Sequence, residues 1–473
     1  MRLLNPKHHR RVALLAATLV LAPAYGVRPV GSIREPGASR APTMRAGDRW
    51  IRVRGRPGFT MGRNPTERTV EAFEERFREM EAAGESLARL HLMHGIPYRG
   101  GPGQIDESWA EQWERVFDAA ERHGIAVLPV FTIWAQWNDG TGGELWYVWN
   151  DNPYNVRLGG PAASPAALLA DTQCRRVWLT WLEGLVRRWQ GRRNILAWEP
   201  ISELDLVTGS TPAAAAQFIE AAAAVIRRHD RLRRPVTVSL STIRDWPEIF
   251  GSKAVDIVQA HPYALDQPYF GRLADLIIDV TRQRLARYRK PVLLGECGLD
   301  WRPPPRTLTE APRADVAIRH AFWAAAVSGA VSGRMLWWED GYDKNERGDV
   351  AKRYRDAARP ILRFTKDLSY TNLRPAPCRT SADIKGAALA GPDTVVGWFR
   401  DIRSEPPDWP ERTVTGAAVT VLLPGRASRW TVTFVDTKTG RPCGQREIDA
   451  AQRRWTVAVP PFTESIAFKA ESR

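Results

Sequence analysis

Between residues 48 and 365 short apolar runs alternate with longer amphipathic ones, and no other feature of the chain constrains its fold so tightly. Eight runs have the length and composition of strands: Trp50–Val53, Ser86–Leu92, Ala126–Phe131, Ile195–Ile201, Val236–Leu240, Ile257–Ala260, Val292–Leu294 and Arg334–Trp338. Helical periodicity fills the intervals at Thr69–Glu81, Glu107–His123, Arg175–Gln190, Ala213–His229, Leu273–Tyr288 and Arg313–Ser328. Eight strands with interleaved helices over about 320 residues predict an α/β chain folded as a (β/α)8 TIM barrel. A doubly wound sheet is the competing arrangement, but no Gly-rich phosphate turn follows the first strand.

The texture changes after Thr365. Short runs of alternating apolar residues follow at Val395–Phe399, Ala418–Leu423, Trp430–Phe434, Trp455–Val459 and Ser465–Lys469, the pattern of an antiparallel β-sandwich. The expected division is a barrel over 44–370, a linker over 371–383 and a sandwich over 384–473. At the other end, residues 1–24 read as a secretory signal peptide. Arg2, Lys7, Arg10 and Arg11 precede the apolar run Val12–Leu21, and Ala22-Pro23-Ala24 has the small-x-small form of a cleavage site. That run is too short to span a bilayer, and no later stretch has 18 uninterrupted apolar residues. A secreted or periplasmic protein without a transmembrane span is therefore expected, with residues 25–43 as a flexible leader.

Composition narrows the function classes. Hydrophobic residues make up 44% and charged residues 26% of the chain, which excludes wholesale disorder. The formal charge of +15 comes mostly from scattered arginine, with no basic stripe or recognition motif, so a nucleic-acid partner is not expected. Four cysteines, Cys174, Cys297, Cys378 and Cys443, match no metal-ligand spacing. Cys378 and Cys443, both C-terminal, could pair. Tryptophan is over-used, 20 against 10 Tyr and 14 Phe. The long stretch Ile133–Asp171 holds Trp134, Trp137, Trp146, Tyr147, Trp149 and Tyr154, and Trp301, Trp337 and Trp338 fall at other strand ends. Indole faces stack well on flat apolar surfaces, including the C–H faces of sugar rings, so these residues are expected to wall a binding cleft.

Two carboxylates carry the chemistry. The fourth strand ends Trp198-Glu199-Pro200-Ile201-Ser202-Glu203, and period-two geometry would put Glu199, Ile201 and Glu203 on one face with Glu203 nearest the rim. The seventh ends Gly295-Glu296-Cys297-Gly298 after an apolar run, where a buried glutamate is costly unless paired or functional. Barrels place their chemistry at the C-terminal ends of strands. Two glutamates facing each other across one mouth are what glycoside hydrolysis needs, one as acid/base and one as nucleophile. Deeper in the barrel, Glu199 is expected to pair with an arginine.

These motifs resemble those of the clan A glycoside hydrolases, above all the cellulase- and mannanase-like family 5. Its strand-four pattern Trp-Glu-x-x-Asn-Glu is matched by Trp198–Glu203, and its strand-seven Gly-Glu-Phe-Gly pattern by Gly295–Gly298. The resemblance implies that Glu203 is the acid/base and Glu296 the nucleophile. It also implies that Arg89 steadies the nucleophile, that His261-Pro262-Tyr263 supplies a tyrosine bonded to it, and that Trp337-Trp338 floors the sugar site. One position departs: Ser202 stands where the family has the asparagine that binds the sugar 2-hydroxyl. The implied activity is retaining cleavage of β-linked glycans of mannan or glucan type, with an oligo- or polysaccharide as substrate and neither metal nor cofactor. The alternative is a non-catalytic carbohydrate-binding or envelope adhesion protein on the same barrel.

Overall fold

The computed structural model describes residues 41–93, 98–140, 148–301, 313–337, 348–381, 383–404, 411–424, 429–450 and 453–472. The signal peptide, the leader to residue 40, Trp146, Tyr147 and Trp338 lie outside the described residues.

Eight parallel strands form the N-terminal architecture: β1 (Thr60–Arg63), β2 (Leu87–His91), β3 (Ala126–Ile133), β4 (Glu199–Ser202), β5 (Thr237–Val238), β6 (Ile257–Ala260), β7 (Val292–Leu294) and β8 (Ser332–Gly333). Their hydrogen bonding gives a five-stranded sheet β8-β1-β2-β3-β4 and a three-stranded sheet β5-β6-β7. Parallel bridges Trp198–Val236 and Cys297–Leu336 join the two sheets at both seams, completing the cyclic order of a barrel. Every residue of β3 is buried, as expected of a parallel strand covered on both faces.

Helices α1 (Val70–Ala83), α2 (Glu107–Arg122), α3 (Thr172–Trp189), α4 (Pro212–His229), α5 (Pro247–Phe250), α6 (Leu273–Tyr288), α7 (Ala314–Ser328) and α8 (Gly348–Thr365) surround the strands. Thr69, Asp106, Asp171 and Thr211 start the four long N-terminal ones by accepting a first-turn backbone N–H.

The expected first strand is a correction. Ile51–Val53 pairs antiparallel with Arg56–Gly58 outside the barrel, through the two-residue turn Arg54-Gly55. Both turn residues have positive φ, 50° and 77°, the backbone that closes a tight hairpin. The true first strand, Thr60–Arg63, is too short and too mixed to announce itself. Folded structure also begins before residue 44: Ala41 is buried and Thr43 bonds Arg52 in both directions.

The C-terminal sandwich has a six-stranded antiparallel sheet and a three-stranded one. The first is ordered β9 (Arg374–Ala376), β11 (Ile384–Ala390), β12 (Thr394–Asp401), β17 (Ser465–Ser472), β14 (Arg429–Asp436) and β15 (Pro442–Asp449). The second is β10 (Cys378–Thr380), β13 (Ala418–Leu422) and β16 (Arg454–Ala458). Residues 371–383 are thus no linker: they supply β9 and β10, three-residue strands too short to show a period. Cys378 and Cys443 sit in different sheets and are both free thiols.

The sandwich is seated on α6 and α7 with a continuous apolar core. Trp398, Ala387, Leu389 and Ala467 of its first sheet share one cluster with Ile277, Phe322 and Trp323. Trp323 Nε1 donates to Thr437 O at 3.2 Å. Asp275 of α6 pairs with Lys385 at 2.9 Å and Arg400 at 3.0 Å, and Glu464 pairs with Arg319 at 2.7 Å and Arg313 at 3.2 Å.

Candidate active site

The C-terminal ends of the barrel strands converge on Arg89. From the middle of β2, with no exposed surface, it donates through Nε and Nη2 to both oxygens of Glu199, each at 2.8 Å. Its Nη1 donates to Glu296 Oε1 at 2.8 Å, and Nη2 also reaches Ser202 Oγ at 2.8 Å. His91 Nε2 lies 3.1 Å from Nη1 and accepts from it, since a guanidinium has only donors. The two carboxylates hold Arg89 firmly protonated against its burial. Reciprocally, burial would raise Glu199, but the Arg89 charge and hydrogen bonds win and lower it. The expected Glu199–arginine pair is therefore present.

Glu296 follows β7 and has both oxygens occupied: Arg89 on Oε1, and the Tyr263 hydroxyl donating to Oε2 at 2.9 Å. Gly295 before it is required by packing. A Cβ there would sit 1.7 Å from Gln259 Oε1 and 2.7 Å from His261 Nε2, so any side chain would force Gln259 and His261 to shift. Asn64, just after β1, donates to Gly295 O at 3.1 Å and ties the turn down from the other side.

Glu203 is placed differently. Alternation along β4 does not run on to it: Glu199 and Ser202, three apart, both touch Arg89, while Ile201 packs outward in the apolar layer with Leu204. The chain then turns sharply, with Glu203 in the left-handed region at φ 52°, ψ 52°. A non-glycine residue held there signals a backbone conformation imposed by its surroundings. Its N–H is secured by Ser239 Oγ at 2.9 Å, and Ser239 in turn donates to Glu199 Oε1 at 2.9 Å. The Glu203 carboxylate lies 3.0 Å from His261 Nδ1. Oxygens of Glu203 and Glu296 and a nitrogen of His261 all fall within 4.8 Å of one another.

Electrostatics separate these groups. Burial, then the negative charge of Asp205, pushes the Glu203 carboxyl up to about 7. Burial pushes His261 down to about 4, so at neutral pH it is an uncharged neighbour. The site thus holds one carboxylate buttressed by a cation and a phenol, facing one carboxyl poised to keep or release a proton near neutrality.

Trp337 lies at the mouth, 8% exposed, with its ring edge against His91 at 4.6 Å between centroids. Tyr263, Ile133 and Met93 complete that apolar patch, and Trp134 packs on it half-buried and hydrogen-bonds Glu203. Trp137 is a correction. It has no exposed surface and packs on Trp149 and Tyr154 at 5.6 and 5.1 Å, so these aromatics of the segment after β3 join the apolar core outside the barrel strands and do not wall the cleft. Asn64, Ser239 and Gln259 are not among the residues expected from the sequence, although Gln259 is the single polar residue of the run Ile257–Ala260 and Ser239 a polar one within Val236–Leu240.

No family model matches this chain, and neither does any curated protein sequence. Solved structures do match. A glycoside hydrolase family 5 from Bacteroides vulgatus superposes with a TM-score of 0.62 at 11% identity, covering 91% of this chain and 94% of that one. A second structure, titled only as a glycoside hydrolase, gives 0.61 at 12% identity over 92% and 97%. The fold is that of the family 5 glycoside hydrolases. A family 5 mannosidase from Rhizomucor miehei aligns with a TM-score of 0.50 at 14% identity, over 70% of this chain and all of its own length. The first two superpositions each cover more than nine-tenths of this chain, a span that takes in both its barrel and its sandwich.

Proposed function

We propose that this protein is a secreted retaining glycoside hydrolase acting on β-linked glycans of mannan or glucan type. The observation that carries the reading is the pair Glu203 and Glu296, with carboxylate oxygens within 4.8 Å and opposite electrostatic settings. Retaining enzymes need their carboxyls about 5–5.5 Å apart, inverting ones roughly 6.5–9.5 Å to admit a water.

In the first step Glu296 attacks the anomeric carbon, and the Glu203 proton passes to the glycosidic oxygen as the bond to the leaving group breaks. In the second, Glu203, now a carboxylate, takes a proton from water, whose oxygen attacks the same carbon and releases Glu296. Arg89 and Tyr263 hold Glu296 aimed by engaging both oxygens, which leaves its charge available along one approach. The carboxyl set at about 7 stays protonated for the first half and is acidic enough to deprotonate for the second. Trp337, at the mouth beside His91, supplies an apolar floor for a sugar ring. Support for mannan-type substrates comes from the Rhizomucor mannosidase that shares the barrel. Ser202 bears on the sugar accepted at this site: its oxygen already accepts from Arg89. The exported location rests on the residue 1–24 pattern; among the described residues no helix is long and apolar enough to cross a membrane.

The test is reducing-sugar release from β-mannan, β-glucan and xylan by the full chain, with the anomer of the first product followed by NMR. Release with retained configuration, abolished in a folded Glu296→Ala protein, is the expected result. Binding without release across the panel would instead establish a non-catalytic glycan-binding barrel.

A further inference from the structure

Two residues beyond Glu203, Asp205 is gripped from the neighbouring strand. Ser241 donates its backbone N–H to Asp205 Oδ1 at 2.6 Å and its hydroxyl to Oδ2 at 2.5 Å. Arg244 Nε sits 2.8 Å from Oδ2. The Asp205 side chain has no exposed surface, whereas Arg244 is 52% exposed. Two residues earlier, Ser239 holds the Glu203 N–H, and Leu204 N–H bonds Ser239 O. Residues 203–205 are therefore laced to Ser239–Ser241 along their whole length, and the lacing spans the left-handed backbone at Glu203.

We infer that Asp205 is a positioning residue for Glu203, anchoring the strained turn that carries it and placing a second carboxylate two residues beyond it. This rests on the reading of Glu203 as the acid/base. The geometry alone calls for such a device. A residue at φ 52° gains nothing from its own backbone and stays there only when neighbours over-determine it. The Asp205 carboxylate takes a backbone and a hydroxyl donor from Ser241 and the Arg244 guanidinium, which fixes its position on the neighbouring strand.

The groups facing Glu203 come from every side. Arg89 of β2 favours its ionised form; Glu199 of β4 and Asp205 oppose it, and Asp205 is the larger opponent. Glu296 and the neutral His261 complete the ring, and the Trp134 hydrogen bond favours ionisation. Asp205 bonds Ser241 and pairs with Arg244, not with Arg89 or Glu296, so changing it leaves the nucleophile's supports in place.

The experiment titrates full-length protein labelled with 13Cδ-glutamate, with Glu203→Gln assigning the Glu203 resonance. In Asp205→Asn, which keeps the shape and loses the charge, the Glu203 midpoint is expected to fall by about one pH unit. The basic limb of sugar release should move down in step. Arg244→Gln, which removes the opposing cation at a half-exposed position, should move both upward by a smaller amount. An unmoved midpoint in folded Asp205→Asn overturns the inference; if that variant does not fold, an unmoved midpoint in Arg244→Gln does so. The titration needs no substrate. A wild type that never releases sugar therefore removes the hydrolase reading without deciding the titration.

Discussion

Buried arginine–carboxylate chemistry occurs at two places in this molecule, and they are built to opposite ends. At the seam between barrel and sandwich, cations outnumber carboxylates: Asp275 faces Lys385 and Arg400, while Glu464 faces Arg313, Arg319 and Lys438. Burial raises both acids, yet these cations pull each below its usual range. At the barrel mouth carboxylates outnumber cations. Arg89 bonds Glu199 and Glu296, and Glu203 is left beside an uncharged histidine and the Asp205 charge. Burial, unopposed by a cation of its own, and then the Asp205 charge raise Glu203. The balance of neighbouring charge, more than depth, decides whether a buried acid is a fastener or a proton store.

The mouth can be broken most severely at Glu296. Glu296→Ala is expected to reduce sugar release by roughly 10⁴-fold or more, and Glu203→Gln by roughly 10²- to 10⁴-fold, both with unchanged circular dichroism. Arg89→Ala leaves Glu199 buried without its cation and should cost about 3–5 kcal/mol in urea denaturation as well as activity. At the seam, Glu464→Gln should cost about 2 kcal/mol of stability while kcat, KM and the pH profile stay at wild-type values. A seam variant that shifted the pH profile would erase the contrast between the two places.

The two sites also answer pH with opposite signs. Glu203 has a folded value of about 7 against an ordinary 4.5, so its contribution to stability is full below 4.5 and is lost as pH rises through about 7. Activity that depends on its proton should decline over the same upper limb, and Glu203→Gln should gain stability relative to wild type above pH 7. Asp275 and Glu464 are lowered, so their stabilisation is present above their ordinary values and is lost as pH falls from there through their lowered folded values. Denaturation midpoints measured from acid to alkaline pH check both signs. The smallest expected effect is at Trp137: Trp137→Phe opens a cavity worth about 1–2 kcal/mol without altering KM, because no face of that indole reaches the mouth.

Much of this was legible in the chain itself. Helices such as Leu273–Tyr288 follow from their apolar stripe, and parallel strands such as Val292–Leu294 from their unbroken apolar run. The glutamates stood out because a carboxylate at the end of such a run has a cost that only pairing or function offsets. Arg89, His261 and Tyr263 were reached through the resemblance, and the structure brings all three to the two glutamates. Tryptophan was the misleading signal. Trp137, expected in the cleft, is buried against Trp149 and Tyr154, in keeping with the many core indoles: Trp109, Trp113, Trp178, Trp181 and Trp189 between α2, α3 and β3, Trp430 and Trp455 inside the sandwich, and Trp398 between sandwich and barrel. An indole at a strand end and one in a core look alike in sequence, since both are apolar and large.

By itself, then, the sequence determined the period of each long element, the alternation of strand and helix from the second barrel strand onward, and the two glutamates that stand at strand ends. Those are properties of local spacing and of single residues out of place. Only the tertiary structure decided that Arg89 spends its charge on Glu199 and Glu296, that Glu203 leaves the alternation of its strand in a left-handed turn, and that Asp205 and Ser241 clasp across that turn. Each depends on side chains far apart in the chain meeting in a low-dielectric interior, where a single charge more or less sets which carboxyl holds the proton.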